Sequence, residues 1–110
     1  MILKFDESEV YYLRLYLQIY RSWNYIDLPD EACRKIKSIC KILMKTKPVH
    51  EVCNLAFSLD EWKLILTHLT NYLKNKQKQD NSFTDRDQKR LKSLVKYIRK
   101  EVTSYKGEVL

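Results

Sequence analysis

The sequence predicts an all-α fold, an antiparallel four-helix bundle built from two similar helical hairpins. Three observations predict it. Glycine is almost absent, with one glycine and two prolines in 110 residues. Sandwiches and barrels need turn residues at short intervals, so this scarcity favours helices joined by few loops. Helix-start signals followed by apolar residues at spacings of three and four recur along the chain. The chain also repeats itself. Phe5-Asp6-Glu7-Ser8-Glu9, followed by Leu13, Leu17 and Tyr20, returns 52 residues later as Phe57-Ser58-Leu59-Asp60-Glu61, followed by Ile65, Leu69 and Tyr72. The run Arg34 to Lys41 returns 55 residues later as Lys89 to Lys96, with the Lys-Ser dipeptide kept.

Each element has its own signal. Asp6 and Glu9 form a capping box, in which side chain and backbone satisfy each other's free groups, with Phe5 and Val10 at the staple positions. The first helix is therefore expected from about 7 to 25. Pro29 pre-sets a first turn, and Asp30 and Glu31 suit the positive end of the helix dipole. The second helix should run to about 46 and stop before Pro48. Ser58 and Glu61 make a second capping box, with Phe57 and Trp62 as its staple, for a helix from 59 to about 76. Thr84 with Asp87 caps a fourth helix, expected to end near 105, before Gly107. Lys74 to Asn81 is polar and expected as a loop or a frayed helix end. The connector 48–56 is apolar enough for a short helical turn against the bundle. Met1 to Phe5 suits a short extended segment, but a lone strand has no evident partner. The chain is expected as one domain, 1–110, with hairpin one at about 5–47, the connector at 48–56 and hairpin two at about 57–105.

Composition limits the function. With 45% apolar and 32% charged residues the chain is globular rather than disordered. A net charge of +7 permits nucleic acid, an anionic membrane surface or an acidic protein as partner. Acidic residues directly after Phe5 argue against a signal peptide. No apolar run approaches the roughly 18 residues a membrane span needs. The three cysteines are an odd number, unsuited to a disulfide framework. Cys33 and Cys40 on one helix would lie about 10 Å apart along its axis, beyond the roughly 7 Å a disulfide tolerates. A reducing cytoplasm is the expected location.

No catalytic constellation is evident. Neither His50, in the connector, nor His68, the counterpart of Tyr16, has a nucleophile-and-acid pattern around it. The chain has no glycine-rich phosphate loop, HExxH or GxSxG. His50-x-x-Cys53 with Cys33 and Cys40 is a weak zinc pattern, because the helix cysteines fall among core positions, where a free thiol acts as a small apolar group. No enzyme activity, metal or cofactor is expected. Residues 49–66 fit a helix-turn-helix poorly, since Asp60 and Glu61 would meet phosphate first.

Two surfaces remain as candidates. Arg34, Lys37, Lys41 and Lys45 share one helical face, as do Lys89, Lys92, Lys96 and Lys100. These stripes are either solvated faces or phosphate-contacting surfaces. In an up-down-up-down bundle they would face opposite ways. The second surface is on the first helix, where Leu15, Ile19 and Trp23, flanked by Tyr12 and Ile26, form an apolar face outside the seam of Val10, Leu13, Leu17 and Tyr20. The repeat puts Thr67, Asn71 and Asn75 at the positions of that trio. Such a face is either covered by the connector or N-terminus, or binds a partner. Aromatic residues favour the second use.

The sequence therefore leads to a non-enzymatic, cytoplasmic interaction module, a regulator, inhibitor or adaptor. It would bind a protein partner, or a second copy of itself, through Tyr12, Leu15, Tyr16, Ile19 and Trp23. The alternative is nucleic-acid binding through the eight basic residues of the two stripes. In architecture and composition the chain is similar to small basic bundles among bacteriocin immunity proteins and phage-encoded inhibitors, an analogy that carries no site residue across.

Overall fold

The computed structural model describes residues 1–24, 30–74 and 83–105, with the side chains of 21–24 excepted. The order of elements is β1 (Ile2–Phe5), α1 (Glu7–Asn24), α2 (Asp30–Lys45), β2 (Cys53–Ala56), α3 (Leu59–Lys74) and α4 (Asp85–Ser104). The fold is mostly helical with a small two-stranded sheet. Tyr25, Ile26, Asn75, Gly107 and the polar stretch beyond Lys74 lie outside the described residues.

Both expected capping boxes form, and the expected cap of α4 proves to be a third. The Asp6 backbone N–H donates to Glu9 Oε1 at 2.9 Å, and the Glu9 N–H donates to Asp6 Oδ1 at 2.7 Å. Ser58 and Glu61 make the same exchange at 2.9 and 3.1 Å. Thr84 and Asp87 repeat it at the start of α4. Each box satisfies N–H groups that the first helical turn leaves without partners.

The helical expectation holds broadly, with a small two-stranded sheet added to the four helices. Met1 to Phe5 does have a partner, and it is the connector: β1 and β2 pair antiparallel, Ile2 opposite Ala56 through Phe5 opposite Cys53. The expected turn of helix in the connector is therefore a strand. The physical reason is alternation with a period of two. Leu3, Phe5, Cys53 and Leu55 point into the core while Ile2, Lys4, Asn54 and Ala56 point out. A strand buries alternate side chains on one face, whereas a helix would have pointed these residues all round its axis. Chain reversal into β2 uses a tight turn in which Val49 and Val52 exchange both backbone hydrogen bonds, at 2.8 and 3.1 Å.

The core is laid out by the repeat. Val10, Leu13, Tyr16, Leu17 and Tyr20 of α1 are buried, and so are their counterparts Trp62, Ile65, His68, Leu69 and Tyr72 of α3. Ile36, Ile39, Cys40 and Leu43 of α2 are matched by Leu91, Leu94, Val95 and Ile98 of α4. Leu3 and Phe5 are matched by Leu55 and Phe57. The closest helix pairs are α1 with α2 and α3 with α4, and α1 also packs on α3. The two basic helices α2 and α4 are not among the closely packed pairs.

Candidate functional site

The surface expected on α1 is largely closed. Tyr16 is 1% exposed and belongs to the core, so the expectation that it contacts a partner is corrected. On the wheel it lies between Tyr20 and Tyr12, at the edge of the core seam, where it meets Tyr72 of α3 and Asp87 of α4. Its hydroxyl donates to Asp87 Oδ1 at 2.7 Å and lies 3.4 Å from an Arg90 nitrogen. Burial, with the Asp87 carboxylate adding to it, pushes the Tyr16 phenol well above its ordinary range. A phenol held protonated in this way is a structural donor. The Arg90 guanidinium stacks over the Tyr12 ring at 3.6 Å from its centre, so Tyr12 is covered from α4. Leu15 and Ile19 are half-buried, and Ile19 packs against the core. Their counterparts Thr67 and Asn71 are exposed. The side chain of Trp23 lies outside the described residues.

The eight cations of the two stripes are all exposed, and none is in an ion pair among the described residues. Core positions 36, 39, 40 and 43 face inward, which turns 34, 37, 41 and 45 to solvent. The same arithmetic applies in α4. The stripes do not merge, because α2 and α4 are not closely packed.

A different surface is open, and it lies between α1, α2 and the start of β2. A groove of about 210 Å³ is lined by Glu7, Val10, Tyr11, Arg14, Leu43, Met44, Thr46 and Cys53. Two of its lining side chains are large, apolar and in water, Tyr11 at 49% and Met44 at 61% exposure, and Ile42, on the same helix as Met44, is 49% exposed. The Cys53 thiol at its floor is pushed up by burial, with Glu7 and Asp6 adding to the effect, so it is a poor nucleophile.

The second half closes the corresponding place. Trp62 stands where the first half has Val10, is fully buried, and packs edge-on against Phe57 with ring centres 5.2 Å apart. Its indole N–H donates to the Met1 carbonyl at 3.0 Å. Tyr97 stands where the first half has Ile42. Its hydroxyl donates to the Lys4 carbonyl at 3.1 Å and accepts from the Lys4 N–H at 3.3 Å, sealing the outer edge of β1. Sequence reasoning missed this difference. The available signal was Ile42 and Met44 lying off the core positions of α2, against polar-tipped Tyr97 and Arg99 in α4.

Among the described residues, His68 is the one buried residue of the core classed with the polar and charged side chains. Its Nδ1 lies 2.9 Å from the Leu64 carbonyl, which makes Nδ1 the protonated nitrogen, and its Nε2 has no partner. Burial lowers its pKa despite the Leu64 carbonyl. Among the described residues no three His, Cys, Asp or Glu side chains gather as a metal ion would require, and no helix is long and apolar enough to cross a membrane.

No family model, curated protein or solved structure matches this chain.

Proposed function

We propose that this chain is a non-enzymatic interaction module that binds a protein partner through the open groove of its first half. The carrying observation is the broken symmetry: Val10, Ile42 and Met44 leave open and apolar what Trp62, Tyr97 and Arg99 cover or replace. Exposed apolar side chains gathered beside a groove are the usual mark of a partner surface. Tyr11 and Met44 suit such a role, the first by large area with few rotatable bonds, the second by adaptable shape. The chain is read as two tandem β-α-α units within one helical domain, one unit closed and the other specialised for contact. The regulator, inhibitor or adaptor role expected from the sequence is kept, and the contact moves from Leu15 and Ile19 to Tyr11, Ile42 and Met44.

The test compares Ile42→Lys with Met44→Glu and with Leu15→Ser in partner capture from host extract, each checked by helical circular dichroism. Loss of the captured protein with the first two variants but not the third supports the groove. Loss only with Leu15→Ser returns the site to the other face of α1.

Nucleic-acid binding is the second reading, favoured by eight exposed and unpaired cations. Each stripe would contact phosphates separately, without reading bases. Binding to duplex DNA should then weaken linearly in log salt, with a shallower slope after Lys37→Glu or Lys92→Glu. An unchanged slope, or no binding at about 50 mM salt, removes this reading.

A further inference from the structure

Resting on the groove reading, we infer that the partner segment is an acidic extended strand that adds to the outer edge of β2. The ladder itself fixes which groups point outward. Met1 and Phe57 exchange both backbone hydrogen bonds, N to O at 3.1 and 3.2 Å. In an antiparallel pair the bonded positions alternate, so Leu3 with Leu55 and Phe5 with Cys53 are bonded pairs. Lys4 and Ala56 then turn their N–H and C=O away from the ladder.

At Lys4 this outward pair is satisfied by the Tyr97 hydroxyl. At Ala56, the counterpart of Lys4 by the 52-residue repeat, the position matching Tyr97 is Ile42, whose side chain has no polar atom. Neither Ala56 nor Asn54 makes an outward hydrogen bond among the described residues. Val52, the outward position before them, is already paired with Val49, and the Ser58 N–H beyond them serves the cap of α3, so the open edge is Asn54 and Ala56, a short template for another strand. The same half of the molecule holds the groove, so an added strand has a place for an apolar anchor as well as backbone partners.

Charge chooses among occupants. Arg14 lines the groove, and Lys41, Lys45 and Lys47 are exposed along and just beyond the helix that carries Ile42 and Met44. Glu7 lines the groove as well and Asp6 acts on Cys53 beside it, so the positive excess comes from the rim, and the chain as a whole carries +7. A second copy would bring this basic rim against itself. A strand bearing Asp or Glu beside an aromatic or branched anchor complements both rim and groove.

The test is a titration of the whole ¹⁵N- and methionine-methyl-labelled protein with three synthetic ten-residue peptides. One alternates Glu with Val around a central Trp, the second replaces Glu by Lys, and the third replaces the central Val residues by Pro. The acidic peptide is expected to shift and protect the Ala56 and Asn54 amides and to move the Met44 methyl signal, with the other two binding roughly tenfold weaker or less. Ile42→Tyr supplies the hydroxyl that Tyr97 supplies opposite and should abolish the binding while the fold is kept. Ala56→Pro removes the outward donor without touching the ladder bonds and should weaken it comparably. Binding that survives both variants overturns the inference. A Met44 shift without amide protection at Ala56 overturns strand addition and leaves the groove reading standing. No shift at either place overturns both.

Discussion

Leu3 and Leu55 lie directly opposite each other in the β1–β2 ladder, and they are also each other's counterparts in the 52-residue repeat. Both conditions hold together only if a local two-fold relation passes between these two residues. Each side chain is almost fully buried, at 3% and 2% exposure. The sheet is therefore the seam where the two halves join, and the strands that the helical pattern left unassigned hold its centre. Truncating either residue removes the same contacts from opposite sides. Leu3→Ala and Leu55→Ala should each cost about 2–5 kcal/mol, with similar values for the pair. Urea unfolding of both variants checks this, and a difference of several kcal/mol between them would show that the relation is not energetic.

His68 makes the fold sensitive to mild acid. Its counterpart Tyr16 sends a hydroxyl out to Asp87, whereas the imidazole stays inside with Nε2 unpaired. The folded-state pKa lies below the 6.5 of the free side chain, so the unfolded chain takes up the proton first. Stability is complete above pH 6.5 and is lost as pH falls from there toward the folded-state value. His68→Phe keeps an aromatic ring against Tyr20 and removes the buried acceptor. It should flatten the dependence between pH 7.5 and 5 and raise stability at pH 5. Unchanged acid sensitivity in that variant would assign the effect to other groups.

Asp87 ties the start of α4 to α1 through two separate duties. It closes the capping box on Thr84 and accepts the Tyr16 hydroxyl, with Arg90 Nη1 3.2 Å from the same oxygen. Burial alone would raise its pKa, but hydrogen bonds from Thr84 and Tyr16, with the Arg90 charge, outweigh burial and hold it below 3.8. Its stabilisation is therefore present above that value and disappears as pH falls through the lower folded-state pKa. Tyr16→Phe should cost about 1–3 kcal/mol by leaving Asp87 short of a donor. Asp87→Ala removes cap and acceptor together and should cost more. In a double-mutant cycle between Tyr16→Phe and Arg90→Ala, the shared oxygen predicts non-additivity of at least about 0.5 kcal/mol.

The helices were legible because their signals are local. Two capping boxes, the cap of α4 and a spacing of three and four residues needed no knowledge of the rest of the chain, and the repeat identified Leu13, Leu17, Ile65 and Leu69 as core. The sheet was not legible in the same way. Two four-residue segments separated by some fifty residues carry a period-two pattern too short to outweigh the helical one, and their pairing is a tertiary fact. Tyr16 was misassigned for a related reason. An aromatic residue on α1 reads alike whether it meets solvent or Asp87, and Asp87 lies 71 residues away. The open groove escaped notice because it consists of what Val10 and Ile42 lack relative to Trp62 and Tyr97. An absence of that kind shows only when the closed copy is seen beside it.

The turn that feeds β2 carries strain that substitution can release. His50 and Glu51 have φ of 53° and 66°, the left-handed region for two consecutive residues that both carry a Cβ. Mutual hydrogen bonds between Val49 and Val52 hold them there, in the type I′ geometry whose preferred residues are Asn and Gly. Each left-handed non-glycine residue costs about 1–2 kcal/mol. Glycine removes that cost but adds backbone freedom to the unfolded chain, which returns about 0.5–1 kcal/mol. Glu51→Gly should therefore stabilise by a few tenths to about 1 kcal/mol, and His50→Asn with Glu51→Gly by more. Glu51→Pro demands a φ near −65° and should destabilise strongly. Urea midpoints for the three variants decide the matter. If Glu51→Gly destabilises, the Glu51 side chain holds the turn by a contact outside the ladder, and the strain assigned to its backbone is not there.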